Sequence, residues 1–164
     1  MKIMRRILLF IVYFLVLTTY AQQDPLWSQY QFNQLPINPA YAGVNDVTSF
    51  DLHYRSQWNG VEGAPNSILL SGQSALVDNQ VGLGFVFMHD EVGISTNTNF
   101  NLTYAYEVEL ASNIMLSFGL QTGLLSLQYD FNELTLEEPT DEDFINADDG
   151  FTKFNVGTGL FVSR

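Results

Sequence analysis

The feature that most constrains this chain is the run 99–110, NFNLTYAYEVEL, in which two kinds of residue alternate without a break. Phe100, Leu102, Tyr104, Tyr106, Val108 and Leu110 are apolar or aromatic, while Asn99, Asn101, Thr103, Ala105, Glu107 and Glu109 are small, polar or charged. A period of two belongs to a β-strand, whose side chains point alternately to opposite faces. Twelve residues at about 3.3 Å each, tilted by about 45°, rise roughly 28 Å, the height of the apolar band of an outer-membrane barrel. Strands of soluble domains are usually about half as long. The run therefore predicts a membrane-spanning strand with lipid on one side and water on the other.

Five further stretches carry the same signal with varying clarity. Residues 48–58 place Phe50, Leu52 and Tyr54 opposite Asp51, His53 and Arg55. Residues 67–76 are less regular, with Ile68-Leu69-Leu70 ahead of Ser71, Gln73 and Ser74. In 80–88, Val81, Leu83, Phe85 and Phe87 face outward against Gly82, Gly84, Val86 and Met88. In 114–128, Ile114, Leu116, Phe118, Leu120 and Leu124 oppose Ser117, Gly119, Gln121 and Gly123. In 154–162, Phe154, Val156, Thr158, Leu160 and Val162 oppose Asn155, Gly157 and Gly159. Glycine repeated on the inner faces suits a crowded or sharply curved barrel wall. Trp58, Tyr104 and Tyr106 are candidates for the aromatic girdles. The links at 77–79 and 111–113 read as tight turns, and those at 59–66, 89–97 and 129–151 as longer loops. Short turns lie in the periplasm and long loops outside, so the first strand is expected to run outward.

The chain opens with MKIMRR, an apolar run over 7–17 and the small residue Ala21, the pattern of a secretory signal peptide over 1–21. The apolar run falls short of the ~20 residues a membrane-spanning helix needs. Loss of Lys2, Arg5 and Arg6 with the signal moves the formal net charge from −12 to −15. So acidic a chain is unsuited to nucleic acid or to electrostatic attachment to anionic lipid. It has no cysteine, and a barrel held by its hydrogen-bond ladder needs no disulfide. Composition alone is equally compatible with a soluble secreted β-sandwich.

Residues 22–46, QQDPLWSQYQFNQLPINPAYAGVND, precede the strands. Pro25, Pro36 and Pro39 exclude a regular helix or a central strand there. Trp27, Tyr30, Phe32 and Tyr41 are many aromatics for a free linker, so the segment is expected to pack on something, and they are the candidate partner-binding residues. The run DPLWSQYQFNQLPINPAYAG resembles the N-terminal signature of the PorP/SprF family of outer-membrane proteins, associated with type IX secretion and gliding motility in Bacteroidota. Arg55-Ser56-Gln57-Trp58, Gly63-Ala64-Pro65, residues 81–93 and residues 99–107 extend the resemblance along the mature chain. It implies an antiparallel transmembrane outer-membrane β-barrel over 47–164, with 22–46 as a periplasmic segment. It also implies a non-enzymatic role in docking or anchoring exported surface proteins. The implied partners are other secretion or gliding proteins, exported cargo and outer-membrane lipid, with no cofactor, nucleic acid or small-molecule substrate.

Six strands are two fewer than the smallest membrane barrels, and the family is about twice as long, so the expectation is the N-terminal part of a larger barrel. An oligomer of half-barrels would leave sheet edges in lipid until assembly. Chemistry-bearing residues are few. His53, between Asp51 and Arg55, reads as a polar lumen residue, and His89-Asp90-Glu91 at a strand end would need a partner within hydrogen-bond reach to act as a base. The acidic loop 133–149 lacks the spacing of a calcium loop and reads as solvated surface. No phosphate loop, zinc spacing or nucleophile elbow is present in the sequence. A porin-like diffusion channel for small solutes is the alternative function.

Overall fold

The computed structural model describes residues 31–76, 80–131 and 150–164. The expected signal peptide, Trp27, Tyr30, the link 77–79 and the acidic loop 133–149 lie outside them. Six strands, β1 (Ser49–Ser56), β2 (Asn66–Leu76), β3 (Val81–Val92), β4 (Ser95–Ala111), β5 (Ile114–Tyr129) and β6 (Gly150–Ser163), follow one another in a single sheet. Every neighbouring pair is antiparallel and in sequence order. The described part of the chain is thus all-β, an open antiparallel meander of the kind that forms a barrel wall. Its one helical element is a 3₁₀ turn, Pro39–Tyr41.

The long alternating run is the core of β4, which reaches 17 residues. Its extension corrects one expected link. Residues 89–97 were expected to form a long loop, but β3 and β4 pair through Val92 and Ser95 around the two-residue turn Gly93-Ile94. Gly93 has φ +56°, the left-handed conformation that a glycine admits at the first position of a tight hairpin turn. Thr96 and Thr98 continue the strand period beyond the apolar run, so polarity there marks a strand leaving the apolar band rather than a loop. The links 57–65 and Gly93-Ile94 lie at one end of the sheet, the loop end. The tight link from Ala111 to Ile114 lies at the other, the turn end. At the loop end the Gly93 amide donates to the Gly63 carbonyl at 2.9 Å and the Asp130 amide to the Ile94 carbonyl at 2.8 Å, tying the links together.

The ladder lines the outward side chains into rows. Leu52, Leu70, Phe87, Phe100, Leu124 and Phe154 are successive cross-strand partners, so one apolar row crosses all six strands. One step toward the loop end, the outward row on β3 to β6 is His89, Thr98, Ser126 and Thr152. That change marks the rim of the apolar band. On β4 the band runs from Phe100 to Leu110, ten steps along the strand; at about 3.4 Å per step and a tilt of about 40°, its height is roughly 26 Å. Tyr104 and Tyr106 sit within the band between Leu102 and Val108, while phenylalanines occupy the row at its rim. The outward residues are uncovered: Leu52 is 70% exposed, Leu102 53% and Leu160 63%. So continuous an apolar face suits lipid and is untenable in water.

The opposite, inner face is partly dry. Leu69, Val86, Met88 and Ala105 are buried there with Leu35 and Ala42 of the N-terminal segment. Asn99, Asn101, Thr103 and Ser117 are buried beside them. The two faces of the sheet should respond differently to charge. Leu102→Arg is expected to cost about 2–4 kcal/mol, as for a cation at mid-depth on a lipid-facing strand. Asn155→Arg, on the inner face of β6 away from the strap's row at Gly159, should cost less than that. Urea titration of liposome-inserted protein measures both, and a larger loss from Asn155→Arg would reverse the assignment of faces.

Candidate functional site

The site is built on a row of residues that have almost no side chain. Ala75, Gly82, Ala105, Gly119 and Gly159 are successive cross-strand partners on the inner faces of β2 to β6. Side chains would normally keep any neighbouring backbone about 10 Å from a sheet. Their loss along one row leaves a shallow gutter running across the strands, open to close backbone approach. Residues 38–43, NPAYAG, lie in it.

The fit can be read glycine by glycine. A Cβ on Gly82 would fall on the Ala42 carbonyl, one on Gly119 on the Ala40 amide and the Pro39 carbonyl carbon, and one on Gly159 on Asn38 Oδ1. A row further from the turn end, a Cβ on Gly84 would stand 3.1 Å from Leu35 Cδ2. Gly157 differs, since a Cβ there would meet only the Gln121 Cβ at 3.7 Å. Most of the inner-face glycines therefore accommodate the N-terminal segment, which is the crowding that their repetition suggested.

The segment forms a strap that goes out across the sheet and returns. Asn33 Nδ2 donates to Ser71 Oγ on β2 at 2.6 Å. A turn follows, in which the Ile37 and Asn38 amides donate to the Gln34 carbonyl at 3.0 and 2.9 Å. Asn38 then holds two things at once: its Oδ1 caps the 3₁₀ turn by accepting from the Ala40 amide at 3.0 Å, and its Nδ2 donates to the Leu160 carbonyl on β6 at 2.9 Å. Pro39 opens that turn with its φ already set for it. Tyr41 meets Phe161 of β6 edge to face, with ring centroids 5.3 Å apart. The strap returns over Gly119 and Gly82 to Gly43, whose amide donates to Gln73 Oε1 on β2 at 3.2 Å. Gly43 has φ +81° and packs against the Gly82 Cα, so a side chain there would be both strained and obstructed.

Of the four candidate partner-binding residues, Tyr41 is engaged by the chain's own Phe161, and Phe32 is 80% exposed at the start of the described segment. Ile37, at the strap's turn, is also exposed. The segment 22–46 is expected to pack on something, and in the structure residues 33–43 pack on the inner face of the sheet. The strap contacts made by Asn33, Leu35, Asn38, Ala40 and Ala42 were not anticipated. The signal that could have revealed them was the recurrence of glycine on successive strands together with the small residues of NPAYAG.

The histidines do not converge with a catalytic set. His89 faces outward, with Nδ1 2.9 Å from Thr98 Oγ1 and Nε2 3.1 Å from Glu91 Oε1. Asp90, one residue on, takes the inner face and accepts from Ser67 Oγ. The strand period thus sends His89 and Asp90 to opposite sides of the sheet. His53 is on the inner face of β1, where the Arg55 Nη2 donates to Ser67 Oγ at 3.3 Å. Among the described residues no group of three or more His, Asp or Glu side chains could hold a metal ion.

The gutter makes a specific claim about volume. Gly119→Val should overpack the strap, costing about 1–3 kcal/mol and exposing 33–43 to limited proteolysis while the strands stay protected. Gly157→Ala should leave the cleavage pattern unchanged. Equal protection of 33–43 in both variants would mean that the gutter does not hold the strap.

The family model described as type IX secretion system membrane protein PorP/SprF matches residues 19–164, so the match takes in the strap together with every strand. No curated protein matches the chain, and no solved structure does. The strap signature and the two-faced meander are therefore parts of one pattern, and the chain belongs to the PorP/SprF family of type IX secretion system membrane proteins.

Proposed function

We propose that this protein is a non-enzymatic outer-membrane β-barrel component of the type IX secretion and gliding machinery that docks or anchors particular exported surface proteins. The observation that carries this reading is the combination of a lipid-suited outer face with an inner face committed to a strap. The outer face holds the chain in a bilayer, and the inner face is occupied by the strap over β2 to β6, leaving the links and the residues ahead of the strap to meet partners. Among the described residues the outer edges of β1 and β6 have no partner strand. Unpaired backbone in lipid costs several kcal/mol per group, so we infer that further strands, from the same polypeptide or another copy, close the barrel in the membrane. A cleaved signal over 1–21 is part of the same reading. N-terminal mass spectrometry of outer-membrane fractions should find Gln22 first, and intact Met1 would remove it.

A porin-like channel is the competing function, and the strap favours docking over diffusion because it lies where solute would pass. Within the segment 22–46, partner recognition falls to the aromatics ahead of the strap, of which Phe32 is exposed. Replacing Trp27, Tyr30 and Phe32 with alanine should impair secretion or surface attachment of one or a few proteins, since truncating an aromatic anchor typically costs a contact about 2 kcal/mol or more. Surface proteomes of variant and parent measure this, with heat-modifiable gel mobility reporting barrel folding. Unchanged secretion would defeat the docking role, and loss of the folded band would make these aromatics structural.

A further inference from the structure

We propose that residues 33–43 are a built-in plug that seals the lumen against ions and small solutes. The inference rests on the barrel reading above and goes beyond it, because docking by itself does not require a closed pore. The strap reaches from Ser71 and Gln73 on β2 to Leu160 and Phe161 on β6. Four inter-strand gaps of about 4.8 Å make that roughly 19 Å of wall. The strap lies directly on that wall, against Gly82, Gly119 and Gly159, and a barrel of about eight strands is already filled by its own side chains. In a barrel a few strands larger, the strap is the layer that takes up the added interior.

Its means of attachment fit a plug. No ion pair between the strap and the sheet occurs among the described residues. Backbone in the gutter, the Asn38 clasp, the Tyr41–Phe161 contact and the Asn33 and Gln73 hydrogen bonds hold it in place. The dry cluster of Leu35 and Ala42 with Leu69, Val86, Met88 and Ala105 excludes water between strap and wall. Exposed Ile37 shows that the opposite side of the strap faces away from that wall. The attachments to β6 at the far end of the strap come from Asn38 and Tyr41.

The experiment is planar-bilayer conductance of the full-length protein. The parent should carry no steady ion current. Gly82→Val with Gly119→Val, which fills the gutter, should raise steady current per inserted protein at least tenfold. Asn38→Ala with Tyr41→Ala, which releases the β6 clasp and leaves every strand unchanged, should also raise it at least tenfold, so the test survives if the valine variant fails to fold. A parent that conducts steadily, or folded clasp variants as silent as the parent, would overturn the plug alone. A parent without a heat-modifiable band in outer-membrane fractions would overturn the barrel reading and the plug with it.

Discussion

Close approach of one backbone to another is the constraint on which the inner half of this structure depends. A polypeptide cannot lie directly on a sheet whose residues carry ordinary side chains. Here the row Ala75, Gly82, Ala105, Gly119 and Gly159 removes those side chains along a single line, and NPAYAG supplies an equally slim partner. Slimness alone gives no direction. Asn38 supplies it, since one amide group both closes the 3₁₀ turn and reaches the Leu160 carbonyl. Gly43 and Gln73 perform the same office on the return.

The outer face obeys a different rule. Lipid demands an unbroken apolar surface and satisfied backbone groups, and the meander meets the first demand with rows of large side chains and the second, away from its edges, with its ladder. The rows also set the height of the band. Phenylalanine and leucine give way to His89, Thr98, Ser126 and Thr152 in one step. Beyond that step β3, β4 and β5 continue as strands into a polar environment, where their turn is tied to the neighbouring links. The same hairpin thus belongs to the apolar band at one end and to the tied links beyond it at the other.

Membership of a secretion-system family gives these two halves a common purpose. The residues that resembled a reactive centre are dispersed by the strand period. His89 is occupied with Thr98 and Glu91 on the outside, and Asp90 with Ser67 on the inside. What remains distinctive is a chain that uses its own N-terminal signature as an internal ligand.

The alternation of residue types by itself determined the strands, their inward and outward faces and the all-β class, because a period of two has only one regular backbone solution. It served equally well in β3, β5 and β6, and poorly in β2, where Leu69 and Leu70 are both apolar although one faces the strap and the other faces out. The composition of 22–46 showed that the segment must pack, without showing where. Only the tertiary structure decided that, since cross-strand register brings five small residues far apart in sequence onto one line. It also decided that 89–97 is a tight hairpin: polar residues near a strand end read alike whether the chain turns there or continues out of the apolar band. Local pattern reports which side of the chain prefers water, while register and backbone contact depend on partners that the pattern does not name.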